Sequence, residues 1–211
     1  MGWLEVAQST KGFMPEDEGM ALYEAGLLAG HSALGPLLEI GTYCGKSAVY
    51  LGAAARETGS VLFSIDHHRG SDELQPGWPH HDPRVVDPST GLIETLPWAR
   101  HALLEAGLEG DVVLVVGESS KVATYWSTSL SLLFIDGGHG AEVARDDFTS
   151  WLPKVAPGGL LAVHDVFSHP SEGGQVPYEL YCGALATGDF AEVSRTGSLR
   201  LARRAPSQGG T

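Results

Sequence analysis

Five short apolar runs, separated along the chain by helical patterns, constrain the fold of this sequence more than any other feature. We predict strands at residues 36–40, 61–65, 112–116, 130–135 and 160–163. Because near-continuous apolar strands between helices are buried on both faces, they indicate a parallel sheet with helices on each side. A late hairpin at residues 191–194 and 198–202 adds two antiparallel strands. The predicted fold is therefore α/β, a doubly wound and mostly parallel sheet that ends in an antiparallel hairpin.

Length and composition predict a single globular domain. The chain has 211 residues, of which 43% are hydrophobic and 18% are charged, and these values are ordinary for a protein with one sizeable core. We assign residues 1–204 to this domain, with an N-terminal segment at about 1–31 and an irregular insert at about 67–97. A connection as long as this insert is often functional. The small polar tail, residues 205–211, is expected to be flexible.

Charge and apolar patterning exclude several classes of partner. A formal net charge of −13 would repel both nucleic acid and an anionic membrane surface. The first residues lack the pattern of a signal peptide and no run of 18 apolar residues occurs, so we expect a cytoplasmic protein. Two cysteines, Cys44 and Cys182, are expected to be reduced thiols.

Polar residues stand at the end of every predicted parallel strand. Glu39, Asp66, Glu118, Asp136 and Asp165 lie at or just after these ends. In open α/β sheets, ligands bind in the crevice beyond the carboxyl ends of the strands. We therefore expect the functional site at this edge of the sheet.

The stretch LLEIGTYCGKSA, residues 37–48, contains a strand, a glycine turn and the start of a helix. Three residues separate Gly41 from Gly45, one fewer than a phosphate-binding P-loop has before its Gly-Lys-Ser. Thr42 and Tyr43 also occupy the place of the second glycine in the dinucleotide fingerprint. The P-loop remains an alternative, but neither nucleotide motif matches.

The pattern E-x-G-x-x-x-G-x-S at residues 39–47 instead resembles motif I of the class I S-adenosylmethionine (SAM) methyltransferases. The resemblance implies their Rossmann-like fold. It also implies that Glu39 binds the amino group of the cofactor, with Gly41, Gly45 and Ser47 along its amino-acid end. Asp66 matches the acidic residue of that family that binds the ribose, and a carboxylate can accept two hydrogen bonds from a vicinal diol.

Two further segments continue this resemblance. Glu118 and Ser119 fall where these enzymes bind the adenine ring. Residues 10–18, TKGFMPEDE, resemble the N-terminal segment that closes over SAM in the same families. In that interpretation, Gly12 to Met14 cover the cofactor.

The stretch FIDGGHG, residues 134–140, and the later His164-Asp165 resemble metal-dependent sugar O-methyltransferases of the macrocin and mycinamicin type. The resemblance to catechol O-methyltransferases is looser. In these enzymes an acidic residue after the fourth strand and an acidic pair after the fifth hold Mg²⁺. The matching residues are Asp136, His164 and Asp165, and His139 stands at the offset of the presumed base. A metal there would lower the pKa of a substrate hydroxyl.

His164 departs from that family pattern, which has an acid at its position. Imidazole suits Zn, Mn or Fe and is a poor ligand for Mg²⁺. Three alternatives follow. Either the site holds Mg²⁺ through Asp136, Asp165 and water, or the site prefers a softer metal, or the side chain of His164 points away from it. Asp146 and Asp147, in the next helix, are expected on a solvated face, with a supporting role for this pair near the metal as the alternative.

The insert suggests the acceptor. It combines Trp78 and Trp98 with acids, prolines and two histidine pairs, His67-His68 and His80-His81. Aromatic faces with hydrogen-bonding acids are typical of surfaces that bind sugars and other polyhydroxylated molecules. A rigid lid, a dimer contact and a structural zinc site are the alternatives, and zinc is disfavoured because neighbouring side chains in an extended chain point apart.

These features together predict a SAM-dependent, metal-assisted O-methyltransferase. Its acceptor is expected to be a hydroxyl of a small polyhydroxylated molecule or oligosaccharide, by analogy a sugar or glycoside such as a mannoside. Asp136 and Asp165 would bind the metal and His139 would take the proton. Related folds host several reactions, so a metal-dependent hydroxylase, an N-methyltransferase and a non-catalytic SAM-binding protein are the alternatives. The resemblance also makes a homodimer plausible.

Overall fold

The computed structural model describes residues 2–78, 80–138 and 140–206. Seven helices and seven strands form this part of the chain. The helices are α1 (Trp3–Ser9), α2 (Glu16–Ser32), α3 (Lys46–Thr58), α4 (Leu96–Glu105), α5 (Ser119–Tyr125), α6 (Ala141–Trp151) and α7 (Val176–Ala186). The strands are β1 (Leu37–Ile40), β2 (Leu62–Asp66), β3 (Val112–Val116), β4 (Leu130–Ile135), β5 (Val155–Val163), β6 (Phe190–Thr196) and β7 (Leu199–Arg204).

All seven strands belong to one sheet in the order β3-β2-β1-β4-β5-β7-β6. The first five of these pair in parallel, whereas β7 is antiparallel to both β5 and β6. This arrangement confirms the predicted α/β sheet, including its late antiparallel hairpin. The chain moves outward from β1 to β3 on one side and then returns to β4 on the other, so the ligand crevice is expected where β1 and β4 end.

Strand β1 is the buried centre of the sheet and supports the glycine turn that follows it. All four of its residues are buried, and it pairs with β2 on one side and with β4 on the other. One apolar cluster packs α1, α2 and α3 against one face of the sheet. A second cluster, which includes Phe148 and Trp151 of α6 and Tyr181 of α7, covers the opposite face. Burial on both faces is what the apolar strands require.

The structure differs from the prediction in three places. Helix α1 was not predicted; Gly2 and Glu5 form its N-terminal capping interaction, with the Gly2 amide donating to the Glu5 carboxylate at 2.9 Å. Strand β5 begins at Val155 rather than at residue 160, and its pairing with β4 shifts in register between Val155 and Leu160. Within the insert, two short 3₁₀ turns, Asp72–Leu74 and Pro83–Val85, give local order without a regular element.

Two remaining expectations concern the membrane and the ends of the domain. None of the helices in the described part of the chain has the length and hydropathy needed to span a bilayer. The C-terminal residues 207–211 of the expected tail lie outside the described residues.

Candidate functional site

A cavity of about 890 Å³ opens beyond the carboxyl ends of β1 to β5. It brings most of the predicted site residues together. The predicted residues that line it are Gly12, Met14, Gly41, Ser47, Asp66, Glu118, Ser119, Asp136 and Asp165. Glu39, Gly45 and His164 do not line this cavity. His139, the predicted base, lies outside the described residues.

The glycine turn has the backbone geometry that its sequence requires. Gly41 and Gly45 adopt φ of +97° and +94°, in the region that favours glycine. A Cβ on Gly41 would overlap the carbonyl oxygen of Asp136. The amide of Asp136 in turn donates to the Ile40 carbonyl at 2.9 Å. The loop after β4 is therefore packed directly on the glycine turn.

Glu39 is a fully buried carboxyl group beneath this turn. The Ser64 hydroxyl donates to its Oε1 at 2.5 Å and lies 2.5 Å from the Thr42 hydroxyl. Its Oε2 is buried without a hydrogen bond of good geometry. Burial raises the pKa of Glu39 to about 8, although hydrogen bonding with Ser64 and Ser47 favours the ionised form. Such a group would gain from a cationic partner.

Asp66 is held at the end of β2 by two backbone amides. Tyr43 donates its N–H to Oδ2 and His68 donates its N–H to Oδ1, each at 2.8 Å. Both donors adopt positive φ, 47° for Tyr43 and 58° for His68. Because each oxygen has a second lone pair, the carboxylate can still accept hydrogen bonds from a vicinal diol in the cavity.

Asp147 is not on a solvated face, so that prediction was wrong. Its side chain is 3% exposed, and its Oδ1 accepts a hydrogen bond from the Ser119 hydroxyl. The buried residues of α6 are Ala144, Asp147, Phe148 and Trp151. This helical spacing places Asp147 on the inward face. Burial raises the pKa of its carboxyl group to about 6.

Asp136, His164 and Asp165 form a compact cluster after β4 and β5, with one potential ligand atom from each within 4.8 Å of the others. The Nδ1 atom of His164 lies 3.1 Å from Asp136 Oδ1 and 3.5 Å from Asp165 Oδ1. Asp165 adopts a φ of 54°, which aspartate tolerates better than most residues. The Nδ1 atom of His164 therefore faces both aspartates, although His164 itself does not line the cavity.

Glu18 contacts the other side of His164, and the sequence analysis did not identify it. Its Oε2 lies 2.5 Å from His164 Nε2, and its Oε1 accepts the Ser198 amide at 2.5 Å. Burial alone would lower the pKa of His164, but the surrounding carboxylates outweigh this effect and raise it. Burial alone would raise the pKa of Glu18, but hydrogen bonds from His164 and Ser198 lower it.

The N-terminal segment and the insert meet at the cavity. Lys11 forms an ion pair with Asp82 of the insert. The ring of Phe13 stacks on Tyr43 at 5.7 Å and contacts the edge of His80 at 5.4 Å. Phe13 lines the cavity and is 61% exposed, so its aromatic face remains available at the opening. Trp78 of the insert is also exposed but does not line the cavity.

The histidine pairs of the insert do not form a metal cluster among the described residues. His68 is buried, and its Nδ1 lies 2.7 Å from the Thr95 hydroxyl oxygen. Burial lowers the pKa of His68. His67 is exposed instead, so the two neighbours lie in different environments, although His68 has a left-handed φ of 58° rather than the extended backbone that was expected.

Solved structures share this fold. The O-methyltransferase TomG from Streptomyces achromogenes, involved in tomaymycin synthesis and solved with SAM, is 19% identical, with 92% of this chain and 82% of that chain covered and a TM-score of 0.63. The O-methyltransferase NovP is 17% identical, with 90% and 80% covered and a TM-score of 0.68. An O-methyltransferase from Bacillus cereus, solved with SAH, is 16% identical, with 95% and 86% covered and a TM-score of 0.64.

A family model identifies the chain more directly. The model, described as a methyltransferase domain, matches residues 38–166. The match begins in β1 and ends just after β5, so it spans the glycine turn, Asp66, Glu118 and the Asp136–His164–Asp165 cluster. This chain therefore belongs to the methyltransferase-domain family and has the class I methyltransferase fold.

Proposed function

We propose that this protein is a SAM-dependent O-methyltransferase that transfers a methyl group to a hydroxyl of a small polyhydroxylated acceptor, a sugar or glycoside. One observation carries the proposal: a single cavity brings a cofactor-type set of residues next to a metal-type cluster. The cofactor-type set includes Asp66, Ser47, Glu118 and Ser119, and the metal-type cluster contributes Asp136 and Asp165 to the same cavity. Methyl transfer requires this proximity because the hydroxyl must meet the methyl donor in line.

Glu39 and Asp66 supply the strongest fit to SAM. Glu39 does not line the cavity, but its Oε2 is buried below the glycine turn without a hydrogen bond of good geometry, and an ammonium group that reached it there would neutralise the carboxylate. Asp66 would accept the ribose hydroxyls, and Ser119 would contact the adenine. SAM supplies the electrophilic methyl group when it is bound. The names of the structural neighbours support this assignment, since TomG was solved with SAM and the B. cereus enzyme with SAH.

The Asp136–His164–Asp165 cluster fits a divalent metal. Two carboxylate oxygens and one ring nitrogen lie within 4.8 Å of one another, and this is a common donor set for such ions. A bound cation would polarise the acceptor hydroxyl and lower its pKa. His139 is proposed as the base that takes the hydroxyl proton, on the strength of its offset from Asp136 in the sequence.

The lining of the cavity supports a neutral acceptor. Among the described residues, eight acidic residues and two lysines line it, and the acidic ones are Asp66, Glu73, Glu118, Asp136, Asp146, Asp147, Asp165 and Glu172. Such a lining disfavours an anionic substrate and offers many acceptors to sugar hydroxyls. The exposed ring of Phe13, which lines the cavity, provides an apolar face on which a sugar ring can pack.

The cofactor is tested first, by titrating SAM into the protein calorimetrically with ATP as the control ligand. Micromolar binding of SAM without binding of ATP is the expected result. Binding of ATP alone would instead favour the P-loop alternative and overturn the cofactor assignment.

The reaction is tested by mass spectrometry with SAM that carries a deuterated methyl group. A panel of glycosides, including mannosides, and a matched panel of amines are incubated with and without Mn²⁺ or Mg²⁺. We expect labelled methyl ethers from the glycosides, with loss of product in the Asp136→Asn variant. Labelled amines alone would indicate an N-methyltransferase, and SAM binding without any labelled product would favour a non-catalytic SAM-binding protein.

A further inference from the structure

Glu18 is a buried carboxylate that nothing in the proposed reaction yet uses. It lies in the first turn of α2, is 4% exposed, and contacts His164 across 146 positions of the sequence. Burying a carboxylate is costly unless strong hydrogen bonds compensate for the lost hydration. Its contacts with Ser198 and His164 provide them, so its placement at the metal-type cluster requires an explanation.

The turn between β6 and β7 fixes the orientation of this carboxylate. The Ser198 amide donates to Oε1 at 2.5 Å, and the Ser198 hydroxyl lies 3.3 Å from Oε2. A Cβ on Gly197 would overlap Oε1, so the backbone approaches the carboxylate as closely as a glycine allows. Because a backbone N–H can only donate, Oε1 must face Ser198, and Oε2 must face the histidine ring.

This geometry determines which ring nitrogen carries a proton. The ionised Oε2 of Glu18 can only accept a hydrogen bond, so the His164 Nε2 at 2.5 Å must carry a hydrogen. The other nitrogen, Nδ1, lies at hydrogen-bond distance from Asp136 Oδ1, 3.1 Å, and 3.5 Å from Asp165 Oδ1. A metal at this cluster would displace the hydrogen on Nδ1, whereas the hydrogen on Nε2 would stay in its bond to Glu18. A histidine that donates one N–H to a carboxylate while its other nitrogen faces a ligand set has the arrangement usual for metal-binding histidines.

We propose that Glu18 is a positioning residue, which holds a proton on His164 Nε2 so that Nδ1 serves as a ligand of the proposed metal. The inference rests on the metal site of the proposed function and deepens it. With one imidazole nitrogen among its ligands, the site prefers Mn²⁺, Fe²⁺ or Zn²⁺ to Mg²⁺. The acid pair expected from the related sugar enzymes would have the opposite preference.

The Glu18→Gln substitution tests this role with little change in shape. The amide oxygen of glutamine must take the position facing the Ser198 N–H, because two donors cannot face each other. Its NH₂ group then faces His164 Nε2, which becomes an acceptor, and the ring proton moves to Nδ1. The matched control is Asp17→Asn, which removes one charge from the adjacent, exposed position of α2.

The experiment measures Mn²⁺ binding calorimetrically and ¹⁴N coupling to bound Mn²⁺ by electron spin-echo envelope modulation. We expect ¹⁴N coupling in the wild type and in Asp17→Asn, and loss of the coupling with about 10- to 100-fold weaker Mn²⁺ binding in Glu18→Gln. Wild-type Mn²⁺ without ¹⁴N coupling, or unchanged coupling in Glu18→Gln, would overturn the role of Glu18 and leave the metal site intact. No Mn²⁺ binding by the wild type would overturn both.

A measurement on the wild type alone keeps the inference testable if Glu18→Gln does not fold. Long-range ¹H–¹⁵N correlation spectra of the Zn²⁺-loaded protein distinguish the two ring nitrogens of His164. The expected spectrum has the proton on Nε2 and the metal on Nδ1. A proton on Nδ1 would contradict the proposal directly.

Discussion

The free energy of unfolding should depend on pH in a way that reflects the burial of Asp147. The pKa of this carboxyl group is raised from 3.8 to about 6 in the folded protein, chiefly by burial. A raised carboxyl pKa means that the folded state binds the proton more tightly than the unfolded state. The associated stability is therefore fully present below about pH 3.8 and is lost as the pH rises through about 6.

The structure sets the size of this effect. The interval between 3.8 and about 6 corresponds to roughly 3 kcal/mol of unfolding free energy over the whole titration. Roughly 1 to 2 kcal/mol of this is lost between about pH 5 and about pH 7.5. Asp147→Asn keeps an oxygen that accepts the Ser119 hydrogen bond but has no charge to bury. Its stability relative to the wild type should therefore increase by that amount across the same pH range.

Urea unfolding at several pH values tests this expectation, because the difference between the two proteins cancels the titration of all other groups. Asp146→Asn is the matched control, since Asp146 is the exposed neighbour on the same helix. Its stability difference from the wild type should change with pH far less than that of Asp147→Asn, because the charge of Asp146 makes only a minor contribution to the raised pKa of Asp147. A difference for Asp147→Asn that changes no more than that of the control would refute the argument from burial.

Three further changes test the cofactor side of the cavity. Glu39→Gln should weaken SAM binding about 10- to 100-fold. At about pH 7 the wild type should also release roughly one proton per SAM bound, because the pKa of Glu39 is about 8 and pairing with the ammonium group ionises the carboxyl group. Calorimetry in buffers of different ionisation enthalpy measures the number of protons released. Equal proton release by the wild type and Glu39→Gln would contradict this prediction. Gly41→Ala should lower the free energy of unfolding by more than the roughly 1 kcal/mol that a left-handed alanine costs, because its Cβ also overlaps the Asp136 carbonyl oxygen. Urea unfolding measures this, and an unchanged free energy of unfolding would exclude that contact. Lys11→Ala should speed SAM dissociation in stopped-flow experiments, since the Lys11–Asp82 ion pair joins the N-terminal segment to the insert. The variant should also abolish the dependence of the dissociation rate on salt concentration. If the rate of the variant still depends on salt, charges other than this ion pair cause that dependence.

The sequence predicted the sheet and the position of the cavity because both depend on local patterns. Apolar runs locate strands, and the carboxyl ends of parallel strands meet at one edge, so Asp66, Asp136 and Asp165 could be placed together without coordinates. Asp147 could also have been found, since its spacing from Ala144, Phe148 and Trp151 is helical. Its charge favours a solvated face, but the helical spacing of its apolar neighbours places it on the inward face.

Glu18 could not have been predicted in the same way. In the sequence it follows Glu16 and Asp17 in the first turn of a helix, where acidic residues are expected to complement the helix dipole. Only the packing of α2 against the β6–β7 turn distinguishes it from these neighbours. Local sequence patterns do not report contacts between elements that are distant in the chain. The residue that faces His164 could therefore be identified only from the three-dimensional structure.

The insert has a consequence for how new acceptor ranges arise in this fold. It is closed by its own backbone bonds, from Glu94 to Val85 and from Asp87 to Leu92, each at 2.8 Å. Val85 and Ile93 form a small apolar cluster with Cys44, apart from the two large cores of the sheet. These bonds close residues 85–94 on themselves, so this part of the insert can be exchanged with little effect on the strands, provided that His68, whose amide holds Asp66, is kept. Grafting inserts from relatives onto this sheet is therefore a direct route to enzymes with altered acceptors.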